Sequence, residues 1–67
     1  MKWLGSKIDK CDLCTDTIKD KFIDGRLSAV TSWAIMCERC FIKHGVGLGI
    51  GKGQMYEKQG DEWIKSV

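Results

Sequence analysis

The sequence predicts a small α+β domain held together by a bound metal, and three observations carry that expectation. The chain has 67 residues, too few to bury a large share of its surface, and scaffolds of this size usually need a staple. Its four cysteines fall in two Cys-x-x-Cys pairs, Cys11/Cys14 in CDLC and Cys37/Cys40 in CERC. Cys14 and Cys37 are separated by twenty-two residues, close to the spacing at which two such pairs share one ion. The start, MKWLGSKIDK, has no apolar stretch of signal-peptide length, and no later run approaches membrane-spanning length. A cytoplasmic setting is therefore expected, where thiols stay reduced and paired cysteines favour metal over disulfides.

Each element can be justified in chain order. CDLCTD reads as a metal-binding knuckle. TIKDKFIDG follows with strand-like Ile18, Phe22 and Ile23 and closes on Asp24-Gly25, a turn signal. RLSAVTSWAIM returns as a second strand, rich in β-branched and aromatic residues that suit a pleated surface. CERCFIKH is helix-compatible and stops at Gly45, a candidate C′ glycine. Cys37 and Cys40 would then lie in the first helical turn, where backbone N–H groups favour thiolates. QMYEK and EWIKS flank QGD and read as a terminal hairpin. Knuckle, hairpin, short helix and C-terminal hairpin make a treble-clef-like zinc finger. A zinc ribbon, with both pairs on knuckles, is the alternative should the helix not form. No linker divides the chain, so residues 1–67 are expected to form a single zinc-binding domain.

The donor set points to zinc. Two thiolates from each of two tight turns complete a tetrahedron, so Cys11, Cys14, Cys37 and Cys40 are expected to hold one structural Zn2+. Four protein ligands leave no open position, so this metal would hold the fold rather than hydrolyse a substrate. The rivals are two local disulfides or a redox pair, and the latter belongs to a βαβ pattern this chain lacks. His44, four residues after Cys40, would share its helix face and could approach the site; the plainer reading is an exposed or capping histidine. No carboxylate pair or Ser-His-Asp set accompanies the cysteines, so an enzyme is the least expected class.

Glycine stands at every second position from Gly45 to Gly53, in G-V-G-L-G-I-G-K-G. Ordering these residues is entropically costly, which makes sense only where side chains would obstruct something. The segment fits neither a Walker loop, since no hydroxyl residue follows Lys52, nor a dinucleotide fingerprint. Two readings follow: a close-packed loop with Val46, Leu48 and Ile50 plugging the core, or bare backbone that lets a phosphate or base approach. Of the aromatic residues, Trp33 is expected beside the metal knuckles, and Tyr56 with Trp63 across the terminal hairpin. Trp3 lies at an end that frays unless docked and is the candidate for an interface.

The series CDLC…FIDG…SWAIMCERC…HGVGLGIGKGQMY resembles small zinc-finger proteins encoded by tailed phages and prophages. The likeness runs from Cys11 to Trp63 and is most specific from Trp33 to Tyr56. It implies Cys11, Cys14, Cys37 and Cys40 as zinc ligands and the cytoplasm of an infected bacterium as the setting. Where such proteins often carry a second histidine after the last cysteine, this chain has Phe41, which argues against a histidine ligand.

The formal charge is +2 with the thiols neutral; four thiolates and one dication lower it by two, to near neutrality. From Arg39 to Tyr56, however, there are three bases, Arg39, Lys43 and Lys52, with His44 and no acid. One reading is a nucleic-acid-binding module that uses those three bases for phosphates and the glycine segment for close approach. The other is an interaction module that docks on a host polymerase, nuclease or defence protein. Neither involves a membrane.

Overall fold

The computed structural model describes residues 2–5 and 7–66; Met1, Ser6 and Val67 lie outside them. The elements are β1 (Lys21–Arg26), β2 (Trp33–Met36), α1 (Glu38–His44), β3 (Gly53–Gln59) and β4 (Glu62–Lys65). The strands form one antiparallel sheet in the order β2-β1-β3-β4. The terminal hairpin is therefore not separate: β3 pairs with β1, with Phe22 opposite Tyr56 and Gly25 opposite Gly53. A knuckle ahead of the sheet and a helix after β2 give the expected treble-clef-like order.

Successive side chains of a strand point to opposite faces, so the burial of both Phe22 and Ile23 shows that β1 is covered on both sides. On one face Phe22 stacks on Tyr56 at 5.1 Å and meets Trp63 edge-on at 5.1 Å. Trp3 completes this cluster, with its ring edge-on to Phe22 and to Tyr56 at 5.3 Å each. Its N–H donates to the Trp63 carbonyl at 2.8 Å, and Lys2 bridges to Ile64 along β4. The N-terminal tryptophan thus packs instead of fraying, because the exposed side of β4 offers it both a backbone partner and an aromatic surface. Tyr56 and Trp63 are not cross-strand partners, since Tyr56 faces Lys65 and Trp63 faces Lys58; what they share is Phe22, which both rings contact. On the other face Ile23, Met36 and Ala34 are buried.

Asp24-Gly25 does not turn the chain. It lies inside β1, and the reversal comes later, where the Leu27 N–H bonds to the Ser32 carbonyl at 3.0 Å. Gly25 is required by packing. A Cβ there would come within 3.3 Å of the Lys52 carbonyl and of Met36 Cε. Its cross-strand partner Gly53 is tighter still, since a Cβ would lie 3.0 Å from the Gly47 carbonyl and 3.2 Å from Gly25 Cα. Of the alternating glycines, Gly53 thus lies backbone against backbone, on Gly25 and on the Gly47 carbonyl, whereas a Cβ at Gly49 or Gly51 would meet nothing within 4 Å.

Between α1 and β3 the segment turns at 49–53, where the N–H groups of Lys52 and Gly53 both donate to the Gly49 carbonyl. Leu48 is half-buried against the core, but Ile50 is wholly exposed at the tip of this turn, so the plugging role falls to Leu48 and not to Ile50. Gly45 also departs from expectation: its φ of −82° is extended, not left-handed. It is a glycine because a Cβ would strike the Phe41 ring and sit 2.9 Å from the Phe41 carbonyl. Among the described residues no helix is long and apolar enough to cross a membrane.

Candidate metal centre

The first ligand pair is set by the knuckle's backbone. The Cys11 N–H donates to the Asp16 carbonyl at 2.9 Å and the Thr15 N–H to the Cys11 carbonyl at 3.0 Å, which draws 11–16 into a closed turn. Closing it puts Thr15 at φ 65°, a left-handed conformation unusual for a β-branched residue. The Thr15 hydroxyl compensates in part by donating to the Cys14 carbonyl at 2.5 Å. The left-handed region costs about 1–2 kcal/mol for a residue with a Cβ, and glycine removes that cost while adding roughly 0.5–1 kcal/mol of unfolded-chain entropy. Thr15→Gly is expected to leave zinc content unchanged and to raise the melting temperature slightly, as differential scanning calorimetry would show.

The second pair comes from the start of α1. Cys37 is the N-cap residue, with φ −73° and ψ 166°, and its carbonyl accepts the first helical bond, from the Phe41 N–H at 2.9 Å. Its thiol makes no capping bond and lies 3.7 Å from the Cys14 sulfur. Cys40 follows within the first turn and is buried.

What brings the two pairs into register is Asp12, a residue the sequence did not single out. Its N–H donates to the Ile35 carbonyl at 2.8 Å, and its carboxylate accepts the Ile35 N–H at 2.9 Å. The knuckle is thereby clamped to the outer edge of β2, two residues before Cys37. Nothing in the local pattern marks Asp12 for this, because its partner is twenty-three residues away and uses only backbone groups.

The four sulfurs lie within 4.8 Å of one another, and all four cysteines are free of disulfides. A tetrahedral zinc with bonds of about 2.3 Å separates its sulfurs by about 3.8 Å, so the donors fit one ion. Burial raises the Cys11 thiol, but N–H groups of Cys14, Cys37 and Leu13 outweigh it and lower it from 9.0 to about 6. The Leu13 N–H reaches the Cys11 sulfur at 3.4 Å. Burial, reinforced by the neighbouring sulfurs, pushes Cys40 up to about 12. One thiolate is thus favoured by the fold itself and another is opposed by it, and a dication in the centre removes the conflict. The protein is a small structural zinc-binding domain.

The other expected site residues are dispersed around this centre. His44 lies outside the cysteine cluster, exposed at the far end of α1, where its carbonyl accepts the Ser28 N–H at 2.7 Å. Arg39 lines a shallow cleft with Asp16, Thr17, Cys37, Glu38 and Ile42, beside the metal centre. Lys43 follows Arg39 by one helical turn, and Lys52 sits in the glycine turn, its carbonyl accepting the Arg26 N–H at 2.8 Å. Glu38, the acid that precedes this basic stretch, is directed to Lys21 at 3.7 Å. Trp33, expected beside the knuckles, opens β2 and is exposed. Comparison of the chain with family models, curated proteins and solved structures finds no match.

Proposed function

We propose that the zinc centre is a scaffold and that the protein works by binding nucleic acid, not by catalysis. Closed four-thiolate coordination offers no position for a substrate, which supports a binding role. The observation that carries the reading is the distribution of charge: Arg39, Lys43 and Lys52 stand on α1 and the glycine turn, with no acid from Arg39 to Tyr56. Bare glycine backbone around Lys52 lets a phosphate come close. The phage resemblance of the Trp33–Tyr56 block adds a setting in which such a module, or one that docks on a host protein, would act.

Three phosphate contacts give a log-affinity slope against log salt of about −2 to −3. Replacing Arg39, Lys43 and Lys52 together by glutamine is expected to abolish binding in gel-shift titrations, while Lys58→Gln and Lys65→Gln leave it nearly unchanged. Absence of binding to DNA or RNA at low salt would transfer the proposal to the host-protein reading, with weak salt dependence and an exposed apolar hot spot.

A further inference from the structure

Trp33 is the largest side chain left in the open, 46 % exposed at the first position of an outer strand. Half-exposing a tryptophan forgoes much of the burial gain that usually places the residue inside, so core packing does not account for it. Its surroundings are distinctive. Its direct cross-strand partner is exposed Arg26, on the same face of the sheet. The Arg26 N–H holds the Lys52 carbonyl, which brings the glycine turn alongside. The Leu27–Gly45 bridge and the Ser28–His44 bond bring the end of α1, with Lys43, to the same end of the sheet. Between Arg26 and Tyr56 the sequence has a single acid, Glu38, and that one faces Lys21. Two acids stand close by: Asp24, half-buried one diagonal step away on the face of Trp33, and Asp12, whose carboxylate is held on the Ile35 N–H at the outer edge of β2.

From this juxtaposition we infer that Trp33 is a stacking platform for an unpaired base of single-stranded nucleic acid, with Arg26 and Lys52 holding the flanking phosphates. The inference rests on the nucleic-acid reading above and narrows it to single strands. An aromatic face needs a base whose own face is free, which a duplex does not present, whereas a single strand presents one at every nucleotide. The neighbouring cations supply the sequence-independent attraction to the backbone. Arg26 takes a place that no local motif announced; it joins Lys52 only because β1 ends beside the glycine turn.

The test is fluorescence anisotropy of the zinc-loaded full chain with labelled oligo-dT and oligo-U of about twelve nucleotides, and with a hairpin duplex of similar length. Trp33→Ala is expected to weaken single-strand binding about tenfold or more, Trp33→Phe to retain most of it, and Arg26→Gln to weaken it with a shallower salt dependence. Zinc content and melting temperature, measured for each variant, are expected to match the parent because Trp33 and Arg26 are exposed. Unchanged affinity in Trp33→Ala, or a duplex bound as tightly as the single strands, overturns the inference but leaves the nucleic-acid reading standing. If none of the three probes binds, both fall together.

Discussion

Removing zinc is expected to unfold the protein. Marginal stabilities of about 0.05–0.15 kcal/mol per residue give a domain of this size roughly 3–10 kcal/mol, whereas zinc binding in finger-sized domains is worth about 10–16 kcal/mol. The ion therefore supplies more than the whole margin. Its ligands are also core: Cys11 and Cys40 are buried beside Ile18, Phe22 and Met36, so losing the ion opens the interior as well as the knuckle. Chelation should collapse the β-sheet circular dichroism signal, and re-addition of zinc should restore it. Cys11→Ala and Cys40→Ala should each abolish both zinc content and the folded signal. Acid should do the same. The depressed Cys11 thiol gives stability that is complete above its ordinary value of 9.0 and is lost as pH falls through about 6. Bound zinc favours thiolates further and moves that loss to lower pH, so metal release and unfolding should coincide during acidification. A folded metal-free protein at neutral pH would contradict this account.

Gly53→Val is expected to be among the most damaging changes outside the cysteines. The added Cβ would press on the Gly47 carbonyl at 3.0 Å and on Gly25 Cα at 3.2 Å, both of them backbone atoms in the middle of the molecule. Neither can swing aside as a side chain would, so overpacking should cost about 1–3 kcal/mol or more. Gly49 and Gly51 pose a different demand. Nothing lies within 4 Å of a Cβ at either, but their φ values of 124° and 76° fall where side chains are strained. Gly49→Ala should therefore cost about 1–2 kcal/mol through the backbone alone. Denaturant unfolding of the zinc-loaded variants distinguishes the two, with Gly53→Val the larger loss. Equal and negligible losses would mean that the glycine segment does not pack on the sheet.

The metal site was legible because its information is local. Four cysteines at the right spacing, one pair ahead of a helix-compatible run, define both the ligands and the treble-clef order. The glycine segment was legible as a close approach but not as to what is approached, since Gly25 and Gly53 meet only through strand pairing. The same pairing explains the misread turn. Asp24-Gly25 has the local chemistry of a reversal, yet its glycine answers to Lys52 and Met36, residues far along the chain. Trp3 and Trp33 exchanged roles for a related reason: an outer strand covers one and leaves the other open, and strand order is not written in the residues around either. Asp12 left no trace in the pattern, because a carboxylate between two ligating cysteines looks like any solvated acid until its partner strand is in place.

Zinc K-edge X-ray absorption on protein purified without chelator tests the central claim most directly. The expected result is one zinc per chain with four sulfur neighbours at about 2.3 Å and no lighter ligand in the first shell. A protein without zinc, or a shell in which nitrogen or oxygen replaces one of the sulfurs, would contradict it.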